Sequence, residues 1–194
     1  MVIMGEYYDR GSKEKKVFYE SFLWLDYTNY LCSFYKAVAM KLVFIAILIN
    51  KFLIFQIQIP SESMLPTLEI GDRLFANRIY KEESLSRGDL IIFYSDEKKE
   101  LMIKRLIGLP NDNVVIDNGV LSVNGEILTE DYIQNQDYFS GSYTVPAGKY
   151  FFLGDNRGDS FDSRYWVNKY IDFNDIKGKA FIKVFPFDEF GFIN

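Results

Sequence analysis

LIIFYSDEKKELMIKRLIGLPNDNVVIDNGVLSVNG, residues 90–125, decides the fold. Short apolar runs (LIIFY, MIKRLIGL, NVVID, GVLSV) are divided by turn residues and are too short for helices. Asn118-Gly119 and Asn124-Gly125 are pairs that close tight hairpins, because both positions of such a turn need positive φ. Further on, KYFFLG (149–154) and KAFIKVF (179–185) continue the pattern, and Pro146-Ala147-Gly148 marks another turn. The expectation is a mostly β domain of compact, folded-over antiparallel sheets over residues 57–194.

Upstream the pattern changes. KAVAMKLVFIAILINKFLIFQ, residues 36–56, is apolar over about the 20 residues a bilayer requires. Asn50 and Lys51 lie near its end, where a lysine reaches the headgroups. A cleaved secretory signal is the competing reading, but the preceding charged, aromatic stretch is long and no A-x-A-like site follows. An uncleaved transmembrane anchor over 36–56 is therefore expected. Residues 1–35 form a cytoplasmic or interfacial segment. Within it Glu20 and Asp26 argue against a span, since a charge at a helix centre costs about 2.5–3.5 kcal/mol. Two readings fit 17–35: a helix at the membrane surface and a plain cytosolic tail. Six basic residues lie in 1–41 and none from Phe52 to Asp72, which predicts a cytoplasmic N-terminus and an extracytoplasmic β domain.

Composition narrows the chemistry. The 194 residues include no histidine and one cysteine, Cys32. A Ser-His-Asp triad, a Cys-His dyad, a His-ligated zinc and an internal disulfide are excluded. Net charge is −5, against a nucleic-acid partner. No cofactor or metal is expected. A hydrolytic base would have to be Lys, Asp, Glu or a metal-bound hydroxide.

Three clusters could carry chemistry. QIPSESMLPTLEIGD (58–72) places Ser61 and Ser63 two apart between Pro60 and Pro66. If extended, both serines face one side, so Ser61 can aim its hydroxyl at an oxyanion formed beside Ser63. Serines in such a stretch are more often turn residues. LMIKRLIGLPND (101–112) puts Lys104 between Met102 and Leu106 on one strand face. Burial there lowers the amine pKa and makes lysine a base, whereas Arg105 stays charged. The bland alternative is a solvated strand lysine. FFLGDNRGDSFDSRYW (151–166) packs Asp155, Arg157, Asp159, Asp162 and Arg164 into one loop. It reads as a salt-bridged structural loop, with Ser160 able to hydrogen-bond Lys104 and hold its amine toward Ser63.

The three clusters, in this order behind one apolar segment, resemble the signature boxes of bacterial type I signal peptidases. Ser61-Glu62-Ser63-Met64-Leu65-Pro66-Thr67 matches the family's S-x-S-M-x-P-T core. Lys104-Arg105 followed by Leu106 to Asp112 matches the lysine box, and residues 154–164 match G-D-N-R-x-x-S-x-D-S-R. IGD at 70–72 and RGDLIIF at 87–93 also fit, so the resemblance covers about 36–166. It implies Ser63 as nucleophile and Lys104 as base. Ser61 and the Ser63 N–H would form the oxyanion hole, and Ser160 would orient the lysine. Arg105, Asp155, Asp162 and Arg164 would be structural support. Ile57, Ile59, Pro60, Met64 and Ile103 would line shallow pockets for a substrate bound as an added strand, with an apolar rim near Met64. The implied partners are secreted precursors bearing signal peptides and the lipid bilayer.

Departures are few. Asn111 replaces a glycine, Glu62 stands where a small residue is common, Gly158 replaces an acidic or amide residue, and Asn50 replaces a basic one. The short stretch from Lys104 to Gly154 implies that the extra β domain of large relatives is absent. A non-catalytic assembly partner of the same fold is the alternative function, although such chains are expected to lose Ser63 or Lys104. A self-cleaving Ser-Lys repressor would need a DNA-binding domain, for which the first 35 residues are too short.

Overall fold

Both Asn-Gly pairs form the hairpins their chemistry calls for. Asn118 and Gly119 have φ of 48° and 83°, and Asn124 and Gly125 have 53° and 86°. The computed structural model describes residues 19–133 and 135–193, with side chains from Tyr27 onward. The basic residues of 1–18 therefore lie outside the described residues.

Among the described residues one α-helix, α1 (Tyr19–Phe52), precedes twelve strands. These are β1 (Ile54–Gln58), β2 (Arg73–Arg78), β3 (Leu90–Ser95), β4 (Glu100–Gly108), β5 (Asn113–Asp117) and β6 (Val120–Val123). The remaining six are β7 (Glu126–Ile127), β8 (Gly141–Thr144), β9 (Lys149–Leu153), β10 (Ile171–Asp172), β11 (Ile176–Phe185) and β12 (Gly191–Phe192). The mostly β, antiparallel architecture behind one apolar helix is as expected.

The chain divides into two units, residues 1–49 and 50–194. In the first, α1 runs unbroken from the aromatic stretch into the apolar one. Its part from Tyr27 to Phe52 is long and apolar enough to cross a bilayer, with mean hydropathy 1.9. The expected 36–56 span needs correcting at its end. The helix stops at Phe52, and residues 54–56 already belong to β1, paired with β2 from Ile54↔Asn77 to Gln58↔Arg73. Apolarity alone does not separate a helix end from a strand, and IFQIQ carries the alternation that a strand needs.

In the second unit, one eight-stranded sheet has the order β1-β2-β11-β3-β4-β9-β10, with β12 on β11. A four-stranded sheet, β7-β6-β5-β8, fills the stretch between β4 and β9. The short segment between Lys104 and Gly154 thus holds a small sheet of its own. Register shifts along β11 and between β4 and β9 mark bulges, which bend a sheet.

The continuous apolar run of β3 is explained by burial on both faces. Leu90 and Ile92 join a core with Ile59, Met64, Leu68, Leu74 and Ile103. Ile91 and Phe93 join another with Leu106, Tyr150, Phe152 and Trp166. A third core, including Ile107, Val114, Leu121 and Phe151, lies under the small sheet. Burying each such side chain contributes about 1.5–3 kcal/mol.

Candidate active site

Ser63 sits in a turn that follows β1, and the core holds that turn in place. Ile59 and Asp72 are joined by a 2.9 Å backbone hydrogen bond. Met64 and Leu68 are fully buried, and Leu68 N–H donates to Met64 C=O at 2.9 Å. The loop after β9 grips the same turn. Asn156 N–H donates to Ser63 C=O at 3.2 Å, and its side-chain amide donates to Glu62 C=O at 3.1 Å. Gly154 allows this approach, because a Cβ there would come about 2.5 Å from the Ser63 carbonyl oxygen.

Lys104 extends from β4, and its Nζ donates to Ser63 Oγ. Lys104 is 2% exposed and Ser63 9%. Burial pushes the lysine pKa from 10.5 down to about 8, while the Asp162 and Asp155 carboxylates act the other way. An amine in that range is partly neutral near neutral pH and can accept a hydroxyl proton. Ser61 Oγ lies 3.3 Å from Ser63 Oγ, brought there by the turn over 61–67 and not by the extended segment expected.

Arg105, the next residue, is treated oppositely. Its Nε and Nη2 bind the two oxygens of Asp155 at 2.8 and 2.6 Å, and Nη1 donates to Gly88 C=O at 2.8 Å. Thr67 Oγ1 donates to the same carboxylate at 2.6 Å. Arg164 holds both oxygens of Asp162 at 2.8 Å and also pairs with Asp137. Asp162 accepts the Gly154 N–H at 3.0 Å. These four expected support residues do cluster beneath the dyad candidates.

Sequence reasoning missed the segment that completes this cluster. Glu130 pairs with Arg157, and the Tyr132 ring lies 3.8 Å from the Arg105 guanidinium carbon. Asn135 donates to Asn156 at 3.0 Å and to Asp159 at 3.1 Å. Residues 129–137 carry no motif, and the charge density of 155–164 was read as pairing within that loop alone. The segment also accounts for Gly158, since a Cβ there would meet the Asn135 side chain at 2.7 Å. Asn111 has φ 71°, a conformation asparagine tolerates better than most residues.

Two expected placements differ. Ser160 is buried beside Gly154, yet its hydroxyl has no hydrogen-bond partner among the described residues, so the bond to Lys104 is not formed. Met64 is fully buried in the core and lines no rim, because the turn folds it inward against Leu68 and Leu74. Ile57, Ile59, Pro60 and Ile103 do line a cleft of about 530 Å³, together with Ser61, Ser63 and Lys104. Its walls are two open strand edges. Among the described residues β1 pairs only with β2. β4 meets β9 from Arg105 onward, which leaves the Glu100–Lys104 edge unpaired. No group of residues suited to a metal ion occurs among the described residues.

The family described as "Signal peptidase, peptidase S26" matches residues 31–185. A signal peptidase I of Leptolyngbya laminosa is 42% identical over 143 residues, 69% of this chain and 70% of that protein. A signal peptidase IB of Staphylococcus aureus is 37% identical over 174 residues, 79% of this chain and 88% of that one. A crystal structure of a signal peptidase I from Enterococcus faecalis V583 covers 52% of this chain and 97% of its own, at 34% identity and a TM-score of 0.45. The chain belongs to the signal peptidase family, peptidase S26, and with it to the serine endopeptidases.

Proposed function

We propose that this chain is a membrane-anchored endopeptidase that removes signal peptides from secreted precursors through a Ser63–Lys104 dyad. The carrying observation is the buried Lys104 amine, its pKa lowered to about 8, bonded to Ser63 Oγ. Relatives named signal peptidase I support the substrate class. Helix α1 supports the anchor, with its membrane-crossing part at Tyr27–Phe52 and the catalytic unit beginning at β1. Arg10, Lys13, Lys15 and Lys16 before the helix, and no basic residue from Phe52 to Asp72, favour a cytoplasmic N-terminus.

In this reading the precursor lies as a strand between the open edges of β1 and β4, adding main-chain hydrogen bonds to both. Its small side chains face Ile57, Ile59 and Ile103. Ser63 Oγ attacks the carbonyl carbon while Lys104 Nζ takes the hydroxyl proton. The Ser61 hydroxyl and the Ser63 N–H receive the developing oxyanion. Collapse expels the mature protein's amine, which takes the proton from Lys104, and leaves an acyl-enzyme on Ser63. Lys104 then activates water to hydrolyse that ester. Ser160, unpartnered and buried beside Gly154, is a positioning residue whose hydroxyl can turn to the lysine once substrate rearranges the site.

The test is cleavage of a precursor peptide with alanine at the first and third positions before the scissile bond. The detergent-solubilised chain should cut after the first-position alanine, and Ser63→Ala and Lys104→Ala should be inactive. A folded wild type that binds the peptide and never cuts it would point to the assembly-partner alternative.

A further inference from the structure

Helix α1 carries charge inside its apolar stretch. Its membrane-crossing part, Tyr27–Phe52, contains Lys36, Lys41 and Lys51, and it is exposed from Cys32 to Phe52. In the anchor reading above, Lys51 in the last turn reaches the outer headgroups. Lys41 lies ten residues earlier, about 15 Å along the axis, half of a hydrocarbon core of about 30 Å. The span cannot shift outward to relieve this, because Ile54 already pairs with Asn77 in β2. Lys41 is thus held near the middle of the bilayer, where a charged side chain is costly and needs a partner. Among the described residues the Lys36 and Lys41 ammonium groups have neither an ion pair nor a hydrogen bond.

The face around these lysines differs from the rest of the helix. By helical periodicity Asn29, Cys32, Ser33, Lys36, Ala37 and Lys41 fall within one half of the circumference. The other half of the same turns is dominated by Leu31, Phe34, Tyr35 and Val38. Small and polar side chains on one face of a membrane helix let a second helix approach closely and bond across the interface. Both charges on this face are positive. A second copy packed in parallel by the same face would set lysine against lysine. A helix bearing carboxylates complements it.

We propose that the Asn29–Lys41 face of α1 docks a transmembrane helix of another protein, one that carries carboxylates at the depths of Lys36 and Lys41. The inference rests on the membrane-anchor reading above. Lys36 and Lys41 are five residues apart, about 7.5 Å along the axis, so the carboxylates they select share that spacing. The contact satisfies both ammonium groups inside the bilayer and leaves the catalytic unit untouched.

The experiment places the full chain in phosphatidylcholine nanodiscs with a synthetic apolar transmembrane helix. The probe carries two glutamates five residues apart and a cysteine four residues before the first, which matches Cys32, Lys36 and Lys41. Oxidative crosslinking to Cys32, the sole cysteine of the chain, reads the docking. The glutamate probe should crosslink at least about fivefold faster than a probe with leucine at both positions, and a lysine probe should be slower still. Lys36→Leu with Lys41→Leu should bring the glutamate probe down to the leucine rate, while cleavage of the alanine peptide stays at the wild-type rate. Moving the thiol to the other half of the helix, by Cys32→Ser with Leu31→Cys, should slow the crosslink. Equal rates for the glutamate and leucine probes would overturn the proposal, as would a preference that survives loss of both lysines or an equal rate from position 31. Cys32 bridging two copies of the chain in preference to the probe would assign the face to a second copy and overturn it as well. A chain that stays in solution without lipid or detergent would instead defeat the anchor reading, and this inference with it.

Discussion

Lys104 and Arg105 are adjacent on β4, each about 2% exposed, and their surroundings could hardly differ more. Arg105 has a bidentate carboxylate, a backbone carbonyl and an aromatic ring around its guanidinium. Lys104 has one hydroxyl. A buried cation with full pairing keeps its charge and ties elements together. A buried cation without a carboxylate partner tends to lose its proton instead. The arginine network thus favours rigidity, and the lysine, at some cost in stability, is held in the state that the proposed role of base requires.

The largest effect that could break this contrast is on turnover. Ser63→Ala, Lys104→Ala and Lys104→Arg should each lower kcat/KM at least about 10³-fold in the peptide assay, with the circular dichroism spectrum retained. Arginine cannot replace lysine here because it does not deprotonate. Activity near wild type in Lys104→Arg would remove the dyad from the account.

Next comes the paired cation. Asp155→Ala strands the Arg105 charge in the interior and should destabilise the β unit by about 3–5 kcal/mol, measured by denaturant unfolding. A loss below 1 kcal/mol would mean that the network contributes little to rigidity.

Lys104→Met should act in the opposite direction. A pKa held at about 8 against an ordinary 10.5 corresponds to about 3 kcal/mol against the charged form. Because the folded pKa lies below the unfolded one, this cost is fully present below pH 8 and fades as pH rises to 10.5. The variant should be inactive and more stable by about 1–3 kcal/mol at pH 7, and the gain should shrink by pH 10.5. A destabilised variant at pH 7 would contradict the picture of an uncompensated amine.

The smallest effect concerns the missed segment. Tyr132→Leu removes the ring against Arg105 and should cost about 1 kcal/mol with little change in the pH profile.

Much of this contrast was legible before any coordinates. The β runs and both Asn-Gly turns follow from local chemistry. The proximity of Ser63 and Lys104, 41 residues apart, was available only through the resemblance to a family. Four features had no such signal. The start of β1 inside an apolar stretch is hidden because helix ends and strands share composition. Met64 faces inward because residues 61–67 turn and do not extend. The Ser160 hydroxyl is unpartnered because its reach depends on side-chain geometry that the motif does not encode. The ties of Glu130, Tyr132, Asn135 and Asp137 to the 155–164 loop are long-range and leave no periodic trace.

If burial makes Lys104 the base, the pH dependence of kcat/KM for the alanine peptide reads its titration. The rate should rise with pH and level off, with an apparent pKa near 8 set by free Lys104. A limb near 10.5, or a flat profile between pH 6 and 9, would show that the catalytic base is not a buried, neutralised lysine.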